Sequence, residues 1–355
     1  MHRLFKKILL PFSALYDAAT HTRNHSFDIG WRDVEDFHIP IISVGNLSVG
    51  GTGKTPHVEY LIRMLKDRYK IGVLSRGYGR KTRGVRMADE HASALTIGDE
   101  PMQYWMKFGK EVRVAVGEKR ALATTEMLRH WTDLQLLLLD DAYQHRMIHR
   151  DFNILLTEYN RPFFEDYILP AGRLRERRAG AKRADLVIVT KCPTSLTYEQ
   201  KEDISNAVGA YTRSEVPVIF SSIVYSGWVP LYHGNDLPEE IQKNVILVSG
   251  IANTRPLIED LRAMGYRIIE HIEYYDHFHY DVTAVNKIKD TYEQFKKRNP
   301  VVLTTEKDAV KLQNPTYKSI LEDIPMYYQP IQVRFSKGDE KILQNALQQC
   351  IREKL

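Results

Sequence analysis

The sequence predicts an α/β protein in which a larger domain with a parallel sheet is joined by a short connector to a smaller α/β domain. Three observations support this prediction. Apolar runs of strand length alternate with helical patterns along the first two-thirds of the chain, and several runs are apolar throughout, as in strands covered on both faces of a parallel sheet. A glycine-rich loop follows the first run. The alternation stops near residue 223 and resumes near residue 245.

The larger domain is expected at residues 26–222 and the smaller one at residues 245–355. The strands predicted for the larger domain lie at 39–45, 70–75, 111–116, 134–140, 152–157, 185–190 and 217–222. Residues 223–244 mix glycine, proline and charged residues, which is typical of a connector. Beyond them a second series of strands and helices ends with the run "MYYQPIQVRF" and a final helix. A cleft between two such domains is a common ligand site.

The composition is that of a globular protein without a disulfide framework. Of 355 residues, 43% are hydrophobic and 27% are charged. The two cysteines, Cys192 and Cys350, are far apart in the sequence, which favours a reducing compartment. The net charge of +5 tolerates anionic partners without requiring nucleic acid. No apolar run reaches the length of a membrane-spanning helix, and no obligate protein partner is inferred.

Residues 1–25 predict a basic amphipathic helix. Its apolar positions recur at helical spacing opposite three basic residues; they are Leu4, Phe5, Ile8, Leu9, Phe12, Leu15, Tyr16 and Ala19, opposite Arg3, Lys6 and Lys7. Such a helix can lie in a bilayer interface with its cations near anionic headgroups, or it can pack on its own domain. A secretory signal is disfavoured because Pro11 interrupts the apolar stretch.

The glycine-rich loop "LSVGGTGKTP" has the pattern of a phosphate-binding loop, except that Ser48 stands where the first glycine usually lies. The loop residues expected to bind a nucleotide are Ser48, Val49, Gly50, Gly51, Thr52, Gly53, Lys54 and Thr55. Backbone N–H groups of such a loop and the helix that follows favour phosphate. Lys54 can reach the terminal phosphates and Thr55 can ligate Mg²⁺. Because the loop lies between a strand and a helix, the larger domain is predicted to be P-loop NTPase-like.

Asp140 and Asp141 end the buried run "LQLLLLDD", where phosphate-loop enzymes place the carboxylate that holds Mg²⁺. The sequence leaves open which of the two contacts the metal. Guanine-specific proteins of this class carry Asn-Lys-x-Asp after a late strand, whereas residues 190–193 read "TKCP". The expected nucleotide is therefore ATP.

Two further segments contain candidate catalytic groups. In "TIGDEP", Asp99 and Glu100 follow a predicted short strand, and they are either helix caps or, for Asp99, a base beside an acceptor hydroxyl. In "YYDHFHYD", His277 and His279 suit pairing with a carboxylate better than a metal site.

A basic segment, "LPAGRLRERRAGAKRAD", includes Arg173 and Arg175, which are suited to bidentate phosphate recognition. The alternative is a solvated charged face.

Taken together, "GNLSVGGTGKTP", "SRGYGR", "GDEP", "DDAYQH", "LPAGRLRE", "DHFHY" and "TEKDAVK" occur in this order. This set closely resembles the tetraacyldisaccharide 4′-kinase family of lipid A biosynthesis, from about Ser43 to Leu312. That family also begins the loop with Gly-Asn, as here at Gly45 and Asn46. Two positions depart from the family pattern: Ala142, where it often has glycine, and Arg173, where it often has proline.

The resemblance implies an enzyme at the cytoplasmic face of the bacterial inner membrane, peripheral or monotopic. It would transfer the γ-phosphate of ATP, with Mg²⁺, to the 4′-hydroxyl of an acylated glucosamine disaccharide 1-phosphate. The N-terminal helix would then contact the anionic membrane surface in which this lipid lies.

The resemblance also implies roles for individual residues. Lys54 would neutralise phosphate charge, and Thr55 with Asp140 or Asp141 would hold Mg²⁺. Asp99, oriented by His277, would take the hydroxyl proton. The residues expected to line the cleft are Arg76, Tyr78, Glu100, Arg120, Gln144, His145, Arg173 and Arg175. The alternatives are a soluble P-loop ATPase or small-molecule kinase, and a nucleotide-switched binding protein.

Overall fold

The computed structural model describes residues 2–232 and 243–355, and within them two sheets covered by helices. Residues 233–242 of the predicted connector and the side chains of residues 2–7 lie outside the described residues. The helices are α1 (His2–Asp28), α2 (Lys54–Leu65), α3 (Ala94–Ile97), α4 (Asp99–Phe108), α5 (Arg120–His130), α6 (Tyr198–Gly209), α7 (Arg255–Ala263), α8 (Val282–Phe295), α9 (Glu306–Leu312), α10 (Pro315–Leu321) and α11 (Lys337–Lys354). The strands are β1 (Ile41–Asn46), β2 (Ile71–Ser75), β3 (Arg86–Met87), β4 (Arg113–Val116), β5 (Leu136–Asp140), β6 (Phe152–Glu158), β7 (Leu186–Thr190), β8 (Val218–Tyr225), β9 (Val229–Pro230), β10 (Asn244–Ser249), β11 (Arg267–Glu273), β12 (Val301–Thr305), β13 (Met326–Gln329) and β14 (Ile331–Phe335).

The larger sheet has the order β14-β8-β7-β6-β1-β5-β2-β4-β3. All pairs in it are parallel except those of the two edge strands, β3 with β4 and β14 with β8. The seven strands predicted for the larger domain are confirmed, with bounds that differ by a few residues. The α/β fold with a parallel-rich sheet is therefore also confirmed.

The centre of this sheet positions the glycine-rich loop. β1 lies between β5 and β6, and its carboxyl end leads through the loop into α2. One face of α2 is buried through Val58, Leu61, Ile62 and Leu65, which pack against the sheet. Because parallel strands end at the same edge, the loops that follow β1, β2 and β5 meet there.

The smaller sheet has the order β11-β10-β12-β13-β9, and its core includes residues of α8, α9 and α10. It is parallel except for β9, which pairs antiparallel with β13. The second series of strands and helices predicted from the sequence is confirmed in outline.

The C-terminal part of the chain differs from the predicted boundary of the smaller domain. The run "MYYQPIQVRF" is two strands divided at Pro330: β13 belongs to the smaller sheet and β14 to the larger. α11 then buries Leu343, Leu347 and Ile351 in the core of the larger domain. Proline has no N–H to donate and restricts the residue before it, so it suits a point where a chain leaves one sheet for another.

The smaller domain is thus inserted between β8 and β14, and two chain segments join it to the larger one. Gln329 bridges the two segments: its Nε2 donates to the carbonyl oxygen of Ser226 at 2.5 Å, and its Oε1 accepts from Trp228 Nε1 at 2.8 Å. Part of the predicted connector is strand instead, since β8 extends to Tyr225 and β9 begins at Val229. A paired crossing of this kind is suited to a hinge.

The predicted short strand before Asp99 is wrong. Residues Ala94–Ile97 form a helical turn with a capping box between Ser93 and Thr96. Gly98, with φ of 96°, then separates α3 from α4. A Cβ there would lie 2.9 Å from the carbonyl oxygen of Tyr78. Glycine therefore permits the close approach that places Asp99 in the first turn of α4.

Candidate active site

The glycine-rich loop takes its shape from two glycines and a neighbouring segment. Gly50 and Gly53 have φ of 111° and 86°, in the region that favours glycine. Ser48 does not have a positive φ; it forms an isolated bridge with Leu174. The Val49 N–H donates to the carbonyl oxygen of Arg173 at 2.8 Å. The serine at the usual glycine position is therefore compatible with this loop, because the backbone there is extended and paired.

The far side of the loop is held by buried polar side chains. Thr190 Oγ1 donates to the carbonyl oxygen of Thr52 at 2.9 Å. The His57 ring contacts the Gly53 carbonyl oxygen through Nδ1 at 2.7 Å and Ser221 Oγ through Nε2 at 2.9 Å. Burial lowers the pKa of His57 to about 4, so the ring is neutral and Nδ1 carries the donated proton. The loop is thus fixed in place by the protein itself, as preorganised anion sites require.

Lys54 follows the loop and lies beside two oxygen acceptors. Its Nζ is 3.4 Å from Asn46 Oδ1 and 3.6 Å from Asp141 Oδ1. These contacts hold the ammonium at the carboxyl end of β1, where the nucleotide phosphates are expected.

Asp140 and Asp141 are adjacent but differ in their surroundings. Asp141 has φ of 48° and is bound by both terminal nitrogens of Arg175, at 3.1–3.3 Å. Asp140 is buried; its Oδ2 accepts from Ser75 Oγ at 3.2 Å, whereas its Oδ1 is buried without a hydrogen-bond partner. Burial is the main cause that raises the pKa of Asp140 to about 7, and the negative charges of Asp141 and Glu100 contribute to it. The positive charges of Lys54 and Arg175 keep the pKa of Asp141 below its ordinary value despite its burial.

Asp99 and His277, from different domains, lie together. His277 Nδ1 is 3.5 Å from Asp99 Oδ2, and Lys311 Nζ is 3.1 Å from the same oxygen. Burial raises the pKa of Asp99, but the contacts with His277 and Lys311 outweigh it and lower the pKa below its ordinary value. The carboxyl group is therefore ionised around neutral pH. The structure brings these two predicted residues together, and their catalytic roles stay predictions.

His277 is held from several sides. Its φ of 61° is unusual for a residue with a side chain. Its ring packs edge-on against Tyr78 with centroids 5.5 Å apart, and its Nε2 accepts from Lys307 Nζ at 3.0 Å. Because Nε2 accepts, Nδ1 carries the proton and points it toward Asp99. Asp276 in turn accepts from Lys307 at 3.0 Å.

The residues predicted to line the cleft divide into exposed and structural positions. Arg76 and Tyr78 are exposed beyond β2, and Glu100 is partly buried in the first turn of α4. Arg120 is 1% exposed and donates to the backbone carbonyl oxygens of Gly117 and Asp140, so its guanidinium lies at the carboxyl ends of β4 and β5.

Four other residues of this set lie around the loop. Gln144 Nε2 donates to the Asn46 carbonyl oxygen at 2.9 Å, and Arg173 Nε donates to Asp166 at 3.1 Å. Burial and neighbouring arginines lower the pKa of His145 to about 4, so its ring is neutral. Arg175 is engaged with Asp141, as above. Substrate contacts for all of these residues remain predictions.

Residues 5–352 match the sequence model of the tetraacyldisaccharide-1-P 4′-kinase family, LpxK. This chain belongs to that family. A tetraacyldisaccharide 4′-kinase of Cytophaga hutchinsonii is 39% identical over 338 residues, covering 95% of this chain and 94% of the other. One of Flavobacterium johnsoniae is 40% identical over 335 residues, with coverage of 94% and 93%. The crystal structure of LpxK from Aquifex aeolicus in complex with ATP aligns with a TM-score of 0.74 and 29% identity, covering 98% of this chain and 99% of that one.

The segment "TEKDAVK" contributes two site residues to which the sequence pattern assigned no role. Lys307 and Lys311, four residues apart on α9, reach His277 and Asp99 respectively. Their i, i+4 spacing, which puts both on one helix face, was the available signal.

Two other site residues were also missed, Ser75 beside Asp140 and Glu176. Glu176 is 2% exposed and accepts from Asn24, Gln144 and Arg183. It therefore ties α1 to the loop region. Nothing in its sequence context distinguishes it from the surrounding charge run.

Proposed function

We propose that this protein transfers the γ-phosphate of ATP to the 4′-hydroxyl of a tetraacyldisaccharide 1-phosphate in lipid A biosynthesis. The observation that carries the proposal is the family match over residues 5–352. The geometry supports it, because a phosphate-binding loop, a pair of carboxylates at the end of β5 and an ionised Asp99 belong to one interdomain region. The relatives named above are kinases of this acceptor.

Asp99 is the proposed base. As the hydroxyl oxygen attacks phosphorus, its O–H bond breaks and the proton moves to Asp99. The new oxygen–phosphorus bond forms while the bond to the leaving oxygen breaks, and ADP leaves with that electron pair. His277 orients Asp99 through its Nδ1, which lies 3.5 Å from Asp99 Oδ2. Lys54 supplies positive charge at the phosphates, where charge stabilisation and alignment account for most of the catalysis.

Magnesium is the proposed metal, and the donor set fits it. Asp140 Oδ1 is a buried carboxylate oxygen without a hydrogen-bond partner, and a hard oxygen donor is what Mg²⁺ prefers. Asp141 is already paired with Arg175 and Lys54. We therefore assign direct ligation to Asp140 and Thr55, with Asp141 positioning Lys54. When bound, the cation would neutralise phosphate charge and fix the phosphate oxygens.

The two-domain construction supports a site that is completed by closure. Asp99 and the phosphate loop belong to the larger domain, whereas His277 and Lys311 belong to the smaller one. Binding energy of the acceptor would stabilise the closed arrangement in which His277 and Lys311 contact Asp99. Such coupling limits transfer of the phosphoryl group to water.

The proposed location is the cytoplasmic face of the inner membrane, reached through α1. One face of α1 packs on the larger domain: Ser13 Oγ donates to the Ile168 carbonyl oxygen at 3.0 Å, and Arg177 pairs with Asp17 at 2.7 Å. Its opposite face exposes Ile8, Phe12 and Leu15 by 60%, 59% and 71%. An apolar face without protein cover supports insertion into a bilayer interface. Among the described helices, none has the length and apolar character that crossing a membrane requires.

The direct test is an assay of the purified protein with ATP, Mg²⁺ and the disaccharide 1-phosphate in detergent micelles. The expected product is heavier than the acceptor by one phosphate, and mass spectrometry of fragments locates it at the 4′ position. Absence of this product, with ATP turnover on a water-soluble acceptor, would instead identify a small-molecule kinase.

Replacing Ile8, Phe12 and Leu15 by serine should weaken binding to anionic phospholipid vesicles more than about 100-fold. The reason is that each of these side chains, when buried in the bilayer, contributes about 1.5–3 kcal/mol to the binding free energy. Activity on detergent-dispersed acceptor should change little, since Ser13 and Asp17 on the opposite face keep α1 in place. Vesicle sedimentation measures the binding. Exposed apolar residues elsewhere, Leu122 and Met264, serve as matched serine controls. Unchanged sedimentation of the triple variant would refute the membrane assignment of α1.

A further inference from the structure

We propose that Lys311 is a positioning residue for phosphoryl transfer, which holds the base Asp99 in place from the opposite domain. The inference rests on the proposed function, in which Asp99 takes the proton of the acceptor hydroxyl. Lys311 lies on α9 of the smaller domain, whereas Asp99 begins α4 of the larger one. Their contact therefore exists only when the two domains are together.

The contact is a buried ion pair. The side chains of Lys311 and Asp99 are 5% and 9% exposed, and Lys311 Nζ lies 3.1 Å from Asp99 Oδ2. The Lys311 ammonium has no partner in the described residues that satisfies hydrogen-bond geometry. Burying an ammonium is costly unless an opposite charge compensates it. Asp99 is the carboxylate in direct contact with the ammonium, and the buried Asp308 one turn earlier on α9 adds a second, more distant negative charge, so the position of Lys311 is tied to the base.

The first turn of α9 is held in place by buried hydrogen bonds. Asp308, fully buried in its first turn, accepts from the Gly250 N–H at 2.8 Å and from Thr305 Oγ1 at 2.6 Å. These bonds join the start of α9 to the end of β10 and to the N-cap of the helix itself. Lys311 therefore projects toward Asp99 from a fixed helix.

Lys311 and His277 both contact Oδ2 of Asp99, which leaves Oδ1 for the acceptor hydroxyl. The other charged groups near Asp99 are Lys307 on α9 and Glu100 beside it on α4. A buried carboxylate without a nearby cation tends to bind a proton, and a protonated carboxyl group cannot accept the hydroxyl proton. Together with His277, Lys311 thus keeps Asp99 ionised, and it fixes which oxygen faces the substrate.

Lys311 keeps its own proton throughout the reaction. The hydroxyl proton moves to Asp99 Oδ1 as the oxygen–phosphorus bond forms, and ADP leaves with the electrons of the broken bond. Lys311 therefore acts only through Asp99, which distinguishes it from a lysine that contacts the transferred phosphoryl group.

A double-mutant cycle tests this dependence. We expect Lys311→Met to lower kcat about 10- to 100-fold and Asp99→Asn about 10²- to 10⁴-fold, with the double variant within about twofold of Asp99→Asn alone. Lys289→Met, at an exposed position of α8, is the matched control. Losses that multiply in the double variant would overturn the proposal, because Lys311 would then act independently of Asp99. A wild-type enzyme without 4′-kinase activity would refute the proposed function instead.

A second measurement needs no acceptor. The carboxyl carbon of Asp99, assigned with Asp99→Asn in ¹³C-aspartate-labelled protein, should titrate about 1–3 pH units higher in Lys311→Met than in the wild type. Lys311→Arg, which keeps the charge, should restore most of the difference. Lys311→Gln replaces Lys311→Met if the methionine variant does not fold, as judged by the same spectra. Equal titration midpoints in the wild type and the neutral variant would overturn the proposal.

Discussion

Replacing Asp99 by asparagine should lower kcat about 10²- to 10⁴-fold, the usual contribution of a general base. The amide keeps the size of the side chain but cannot accept the hydroxyl proton. Binding of ATP should be unchanged, because the phosphate loop is held by Thr190, His57 and Arg173 rather than by Asp99. Steady-state kinetics on the lipid acceptor and calorimetric titration with ATP separate the two effects.

His277→Ala should give a smaller loss of kcat of the same kind, since it removes the orienting group and leaves the base. Asp203→Asn, at an exposed position of α6, is the control for an aspartate change without a role in the site. If Asp99→Asn retains a kcat near that of the wild type, Asp99 is not the base. A loss of ATP affinity equal to the loss of kcat/KM would likewise contradict its assignment to the acceptor side.

The parts of the fold that were predictable from the sequence are those set by local patterns. Residues 136–139 before Asp140 are all leucine, which is typical of a strand covered on both faces, and they form a buried strand in the central part of the sheet. The phosphate loop was also recognisable from a local pattern of glycines followed by a lysine. Its glycines at 50 and 53 adopt positive φ, and the lysine that follows begins a helix.

The return of the chain to the larger sheet was not predictable in this way. β13 and β14 have similar patterns, and nothing local indicates that they belong to different sheets. The pairing of β14 with β8 is decided by non-local backbone hydrogen bonds and by the burial of Leu347 and Ile351. Pro330 marks the point of change, but a proline inside an apolar run is equally compatible with a bend in one sheet.

The proposed catalytic residues were predictable from the sequence by residue type, whereas the contacts that hold them were not. A histidine near a carboxylate was expected, and Asp99 with His277 has that geometry. Lys311 was not predicted to be part of the site because a lysine on an amphipathic helix usually lies in solvent. Only the packing of α9 against α4 reveals that its ammonium is buried beside Asp99. A buried cation of this kind depends on the approach of two domains, which no local pattern encodes.

The choice between Asp140 and Asp141 was also left open by the sequence, and their surroundings differ enough to test it. Asp140→Asn should lower kcat/KM about 10²- to 10³-fold and raise the Mg²⁺ concentration required for half-maximal rate, because several kcal/mol of charge stabilisation depend on the cation. Asp141→Asn should cost only about tenfold, as expected for a residue that positions a neighbour. Rates measured across a Mg²⁺ titration at saturating ATP compare the two variants.

The loss expected for Asp140→Asn exceeds that expected for Asp141→Asn because the two carboxylates already bind different groups. Asp141 has its charge matched by Arg175 and Lys54, so a cation at this carboxylate would have to displace one of them. Asp140 is buried with one oxygen unpartnered, and its raised pKa reflects a charge that lacks compensation. A divalent cation would supply that compensation and ionise the group. A larger shift in Mg²⁺ requirement for Asp141→Asn than for Asp140→Asn would reverse the assignment and would mean that Arg175 moves away when the nucleotide binds.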